Sequence, residues 1–328
     1  MRPFLFDQHT IGLDENISLM YDDNHNHNHN HNHNHKEYTI NCDQELTIVM
    51  ATIGEPELSR SIESLSQGSI IPACVLICIP FEVKERVLHL ADKYPFVEVV
   101  PTEVKGQVKQ RIVGFQRSRT KYTIQLDSDV VVSKTLLKDL KNTIVKHQDI
   151  CVGPRIIRQN TMMEYSFLSS TCNVFYKWQK LFLIWILNGP KGFQPGSMSK
   201  GGIGFGPVFD GFDPEVEWLA GCCVIHETKN LLLKDFYPKK GKAYAEDLYH
   251  SFFLRKKGIT LLIAEDAYLT VMFPNAEELG FSGLIRDQLN TFLAGLGLVR
   301  LMKLSTVRYT NYFLFKSVFL IANRLIKL

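Results

Sequence analysis

Asp127-Ser128-Asp129 closes the run Lys121-Tyr122-Thr123-Ile124-Gln125-Leu126, so two carboxylates sit one residue apart where an apolar strand runs out. A strand end holds short side chains rigidly at the carboxyl edge of a sheet, where open α/β folds bind their ligands. Oxygen donors on short stems suit a hard divalent cation, Mg2+ or Mn2+, carrying a diphosphate. A second acidic pair, Glu246-Asp247, follows about 120 residues later at the start of a helix-like stretch. In that arrangement one pair serves a leaving group and the other takes a proton from a nucleophile. The dipole of a helix beginning there favours the carboxylate form of Asp247 and predicts a base that is already ionised. Glu265-Asp266 has the same composition without a motif around it and reads as a strand-linking turn, and His226 and His250 read as surface or core histidines rather than catalytic ones.

The elements that must position these groups are legible from residue 46 onward. Leu46 to Ala51 is a buried-strand run, and a helix follows Pro56 with Leu58, Ile62 and Leu65 on one face. Cys74 to Ile79 is a second strand ended by Pro80, followed by a helix presenting Val83, Val87, Leu90 and Ala91. Val97 to Val100 is a third strand, Val108 to Arg119 a third helix, and Tyr122 to Leu126 the strand that delivers Asp127. Strands alternating with helices at this rhythm predict a mainly parallel, three-layer nucleotide-binding half. Beyond Ser133, a candidate N-cap, come a helix with Leu136, Leu140 and Ile144 and a strand at Ile150 to Val152. Gly189 to Gly211 is rich in glycine and proline and reads as a mobile crossing or lid loop. Order returns at Val216 to Ile225, then a helix at Ala245 to Lys257, a strand at Thr260 to Ala264 and a short strand near Tyr268 to Val271.

Composition bounds the function classes. A chain of 328 residues, 45% hydrophobic and 22% charged, is an ordinary globular protein. The net charge of +3, without a Lys/Arg stripe interleaved with aromatics in the main body, gives no nucleic-acid footprint. Seven cysteines without a disulfide-type spacing point to reduced, buried thiols and a cytoplasmic setting. The first twenty residues lack a signal-peptide pattern, and no run of about 18 apolar residues occurs, so neither export nor a transmembrane helix is expected.

Three parts follow. Residues 1–45 are an appendage in which Asn24 to His35 alternate strictly between Asn and His, a solvated low-complexity tract. Residues 46–280 form the main body, divided into a nucleotide half at 46–132 and an acceptor half at 133–280. Residues 281–328 are a basic amphipathic helical tail in which Arg and Lys far outnumber the single acid, Asp287. Phe175 to Leu187 carries two Trp and two Lys in a stretch too short to span a bilayer. That is the composition of an interfacial helix, and with the tail it predicts docking on an anionic inner leaflet, with packing of this helix against the tail as the alternative.

The ordered motifs LTIVMATIGEPELSRSIESL, GQVKQRIVGF, YTIQLDSDVVV, VEWLAGCCVIHE and YAEDLYHSFFLRKKG resemble the family 2 glycosyltransferases with a GT-A fold over roughly residues 46–271. The resemblance implies that Ala51, Thr52 and Glu55 border the donor nucleotide and that Arg111 lies near its phosphates. It implies that Asp127 and Ser128 touch the donor, that Asp127 and Asp129 hold Mg2+ or Mn2+, and that Trp218 and Gly221 shape the acceptor pocket. Asp247 matches the general base, with Glu246 beside it. The implied reaction is inverting transfer of a sugar from a UDP- or dTDP-linked donor to a saccharide or lipid-linked acceptor, in cell-surface polysaccharide synthesis. The sequence departs from the family at Pro80-Phe81-Glu82, where acidic base-binding residues often stand, and at Ile112, where Asn is common. The histidine often found beyond the last strand is missing from Thr270 to Asn275. Two rival readings are a catalytically silent binding or scaffold protein and a sugar-phosphate nucleotidyltransferase. The latter wants a glycine-rich basic loop after the first strand, whereas Thr52 to Pro56 offers one glycine and no Lys or Arg.

Overall fold

Leu46, Ile48 and Met50 of the first strand, β1 (Cys42–Ala51), enter one apolar cluster while Val49 enters another on the opposite side of the sheet. Period-2 alternation with both faces apolar is what a strand sandwiched between helix layers requires. The computed structural model describes residues 42–158, 174–209, 211–239, 243–271 and 281–326. The Asn-His tract and most of the region Thr270 to Asn275 lie outside these residues.

β1 is flanked by β2 (Ile71–Pro80) and β4 (Tyr122–Leu126), with β3 (Val97–Thr102) beyond β2, and all three pairings are parallel. Parallel neighbours bring the carboxyl ends of β1 and β4 to one edge. Helix α1 (Glu57–Ser66) covers one face through Leu58, Ile62 and Leu65, and α3 (Gln107–Arg117) covers the other through Phe115. Gly114 lets α3 lie close to the sheet, because a Cβ there would stand 2.8 Å from Cys78 Sγ. Between β2 and β3 a 3-10 segment (Phe81–Arg86) precedes a shorter helix, α2 (Leu88–Lys93), where a single helix was expected.

The sheet continues from β4 through β8 (Cys223–Glu227), β6 (Ile150–Arg158), β9 (Thr260–Val271) and β5 (Val130–Val132), with β7 (Glu215–Val216) also on β9. β6 and β9 are parallel, and antiparallel joins occur at β8, β5 and β7. Helix α4 (Leu136–Ile144) backs this half. Its N-cap position is Thr135, with no side-chain cap, and Ser133 instead accepts Leu136 N–H through its carbonyl at 3.1 Å.

The two strands expected at Thr260 to Ala264 and Tyr268 to Val271 are one strand. Its register against β6 slips between Pro154 and Arg155, paired with Ala264 and Tyr268, so Glu265-Asp266 sit in a bulge rather than a connecting turn. The glycine-rich stretch is likewise not an open loop among its described residues. It folds back on itself, with Phe205 N–H donating to Ser197 O at 2.8 Å, and Phe205 is fully buried against Phe193.

Helix α5 (Val174–Asn188) buries Leu183, Ile184 and Leu187 in a cluster shared with α7 (Phe281–Leu301) and α8 (Thr306–Ile326). The tail is therefore part of the body. Tyr249, on α6 (Glu246–Lys256), donates from its hydroxyl to Ala294 O on α7 at 3.1 Å. Leu298 shares a second cluster with Tyr249 and with Val108 and Ile112 of α3. No helix among the described residues is long and apolar enough to cross a membrane.

Candidate active site

β4 ends at Leu126, and the chain is pinned at that edge by Asp127 N–H donating to Cys222 O at 2.8 Å. The neighbouring loop is held to the same strand, since Gln125 Nε2 donates to Gly221 O at 2.9 Å. Gly221 is required there on packing grounds: a Cβ would collide with Glu246 Oε1 and lie 3.4 Å from Asp247 Cβ. Trp218 on this loop donates its indole N–H to Phe205 O at 2.9 Å, which fixes the ring against the folded glycine-rich stretch.

The two acidic motifs meet. Asp127, Asp129, Glu246 and Asp247 line one cleft of about 330 Å3, together with Gln107, Trp218 and Gly221. α6 begins directly after Ala245, which adopts a left-handed conformation at φ 54° and so turns the acid pair into the cleft at the helix N-terminus.

Arg111 connects the motifs. One guanidinium nitrogen donates to Asp127 Oδ1 and the other to Glu246 Oε1, each at 2.8 Å, with the Arg111 side chain only 3% exposed. Burial works against its charge, yet Glu246 and Asp127 hold its proton more firmly than usual. Expected near the donor phosphates, Arg111 here faces two carboxylates. Gln107, one helical turn earlier on α3, donates to the same Asp127 oxygen at 3.0 Å, and Gln110 clamps Thr52 O and Cys78 O at 2.8 and 2.9 Å.

The remaining donor-side residues form a layer beside the cleft. Ala51, Thr52 and Ser128 are buried. Glu55 accepts hydrogen bonds from the hydroxyls of Thr52 and Ser128, the latter at 3.4 Å, which ties the end of β1 to the turn after β4. None of these residues lines the acidic cleft itself.

Four acids and one buried cation leave the cleft with excess negative charge. Loss of solvent, offset by Arg111 and reinforced by Glu246 and Asp129, raises the Asp127 pKa to about 6. Burial and the adjacent Glu246 raise that of Asp247 to about 7, against the hydrogen bond from Leu248 N–H at 2.9 Å. The ready-ionised base expected from the helix dipole is thus corrected: desolvation and a like charge outweigh the dipole. His226 on β8 and His250 on α6 are both buried, and His250 is pushed down to about 3 by burial and Arg111, which keeps it neutral. Five cysteines among the described residues are free thiols.

Residues 47–193 match the family described as Glycosyl transferase family 2. That part of the chain is similar to family 2 glycosyltransferases. Its fold is that of GT-A glycosyltransferases. Similar solved structures include GalNAc-T7 with UDP, GalNAc and Mn2+, at 17% identity and TM-score 0.54 over 82% of this chain and 50% of that one. TarS 1-349 of S. aureus with UDP-GlcNAc gives 15% identity and TM-score 0.51, over 82% of this chain and 70% of that one. The mannosyltransferase PcManGT from Pyrobaculum calidifontis with GDP-Man and Mn2+ gives 11% identity and TM-score 0.50, over 82% of this chain and 69% of that one. The chain spans half the length of GalNAc-T7 as solved. No curated protein sequence matches it.

Sequence reasoning about this cleft missed Gln107, Gln110 and Ala245. Gln110 stands beside Arg111 on the expected third helix, and Gln107, just ahead of the expected start at Val108, shares a face with Arg111 at i, i+4 once the helix begins one residue earlier. Ala245 carried no signal, because nothing in its identity foretells a positive φ.

Proposed function

We propose that the protein is an inverting, metal-dependent transferase that moves one sugar from a nucleoside-diphosphate sugar, UDP- or dTDP-linked, to a saccharide or lipid-linked acceptor in cell-surface polysaccharide synthesis. The observation that carries this reading is the convergence of Asp127 and Asp129 with Glu246 and Asp247 on one cleft, joined by Arg111. The UDP, UDP-GlcNAc and GDP-Man held by the similar structures support a nucleotide-sugar donor.

Asp127 and Asp129 fit Mg2+ or Mn2+ through their chemistry: both offer carboxylate oxygens at the rim of a cleft short of positive charge. Among the described residues no third His, Cys, Asp or Glu joins them as a metal-ligand group, which suits a cation that completes its shell from substrate phosphates and water. When bound, the cation supplies charge neutralisation for the departing diphosphate. Asp247 takes the proton of the acceptor hydroxyl as its oxygen bonds to the anomeric carbon, and the bond to the diphosphate breaks on the opposite side with its electron pair. Such a single displacement inverts the anomeric centre. Glu246 Oε2 is buried and makes no hydrogen bond within the protein, so it is placed to accept from a second acceptor hydroxyl. Trp218 and Gly221 form the acceptor wall, and the free thiols support a cytoplasmic reaction.

Calorimetry with UDP, dTDP and GDP, with and without Mn2+, tests the donor half. Metal-dependent binding of one nucleotide is the expected result, and indifference to all three would overturn the reading in favour of a silent scaffold.

A further inference from the structure

The apolar residues of an amphipathic helix normally face the core, but α5 carries two stripes. Trp178, Leu181 and Trp185, at i, i+3 and i+7, point outward and are 68%, 54% and 61% exposed, while Leu183, Ile184 and Leu187 are buried opposite them. Phe182, on the edge of the outer stripe, packs edge-on against Phe315 and Phe319 of α8 at centroid distances of 5.1 and 6.1 Å. The stripe therefore adjoins α8, which exposes Val307, Leu314, Val318 and Ile321 on one face at 4-3 helical spacings. On α7, Ile285, Leu289 and Leu293 repeat the pattern at every fourth residue. The three helices share one buried cluster and each leaves an apolar stripe in water, more exposed apolar area than soluble monomers usually carry.

We propose that this three-helix surface docks the protein on an anionic lipid bilayer, with Trp178 and Trp185 seated at the headgroup level. Charge selects this occupant. Lys177, Arg286, Arg300 and Lys303 are exposed on these helices or in the turn between α7 and α8, and Asp287 is the single acid in α5, α7 and α8. A second copy of the chain would bring the same cations against themselves across a two-fold axis, whereas anionic headgroups neutralise them. Tryptophan prefers the interface, where the ring meets acyl chains and its N–H stays hydrated. With no membrane-spanning helix among the described residues, the contact is one of helices lying in the interface plane. It rests on surface composition alone and holds whether or not the cleft transfers sugar.

The test uses the full chain with phosphatidylcholine vesicles and with vesicles that also contain phosphatidylglycerol, read by co-sedimentation and by quenching of tryptophan fluorescence with brominated acyl chains. Retention on the anionic vesicles alone, with quenching, is expected, and Trp178→Ser/Trp185→Ser should weaken retention about tenfold or more while the protein keeps its melting temperature. Because Trp218 is the one tryptophan left in that variant, the quenching should vanish with the binding. Equal retention by the variant, or no retention of the parent protein, would overturn the proposal. So would a vesicle-independent dimer in sedimentation equilibrium that the same pair of substitutions dissolves, which would assign the surface to a second copy. Arg286→Glu/Arg300→Glu provides a separate arm: it should reduce retention on anionic vesicles, and unchanged retention would remove charge as the selecting force.

Discussion

The tip of β4 and the start of α6 carry the same chemistry in opposite settings. Asp127 shares a carboxylate oxygen with Arg111 and Gln107, whereas Asp247 receives a hydrogen bond from its own helix backbone and feels Glu246 more than any other charge. The first is a carboxylate held by a cation, fit to stay in place and present an oxygen. The second is a carboxylate left to its burial, and its pKa near 7 makes it fit to exchange a proton at neutral pH. Position in the fold does not separate the two acids here; the partner of each side chain does.

Breaking the shared bridge has the largest expected effect. Arg111→Met strands Asp127 and Glu246 without their cation and should cost about 3–5 kcal/mol in urea denaturation, with transfer lost as well. A loss below 1 kcal/mol would show that the two carboxylates do not depend on it. Asp247→Asn should cut transfer by about 100- to 10,000-fold in a product-release assay while donor binding by calorimetry stays unchanged. Because this side chain is costly to ionise where it lies, the same substitution should leave stability at pH 8 equal or higher. Gly221→Ala inserts a methyl group against Glu246 and should cost about 1–3 kcal/mol in urea denaturation, with a drop in kcat/KM and little change in nucleotide affinity.

The contrast also sets a pH dependence. Transfer should fall about tenfold per unit as pH drops below about 7, where Asp247 takes up its proton. Stability should run the other way. The folded pKa values of Asp127 and Asp247, about 6 and about 7, lie above the ordinary carboxylate value of 3.8, so the folded state keeps protons that the unfolded chain releases. Their contribution to stability is therefore greatest at low pH and is lost as pH rises from about 4 to about 7. A flat melting temperature across that window would contradict both assignments. The smallest effect is expected from Gln107→Leu, which removes one hydrogen bond from Asp127 and should cost about 1 kcal/mol.

The parallel half of the fold and both acid pairs were legible because they follow local rules: apolar runs ended by polar residues, helical periodicity between them, and a carboxylate pair at each boundary. What escaped depends on contacts between distant residues. The bulge at Glu265-Asp266 looks like a turn because two adjacent acids interrupt an apolar run, and only pairing with β6 keeps the strand whole. The glycine-rich stretch resembles an open loop by composition, yet burial of Phe205 and the indole of Trp218 hold it closed. Arg111 was singled out as a site residue, but its orientation toward Asp127 and Glu246 depends on how closely Gly114 lets α3 approach the sheet.

A seam joins α7 to the two helices that line the acidic cleft. Tyr249 stands two positions after Asp247 and leans on Ala294, while Val108 and Ile112, which flank Arg111 along α3, share their apolar shelter with Leu298. Cutting the chain ahead of α7 would wet that shelter and loosen the scaffolding of Asp247 and the arginine bridge together, so a shortened protein that fails to react would say nothing about lipids.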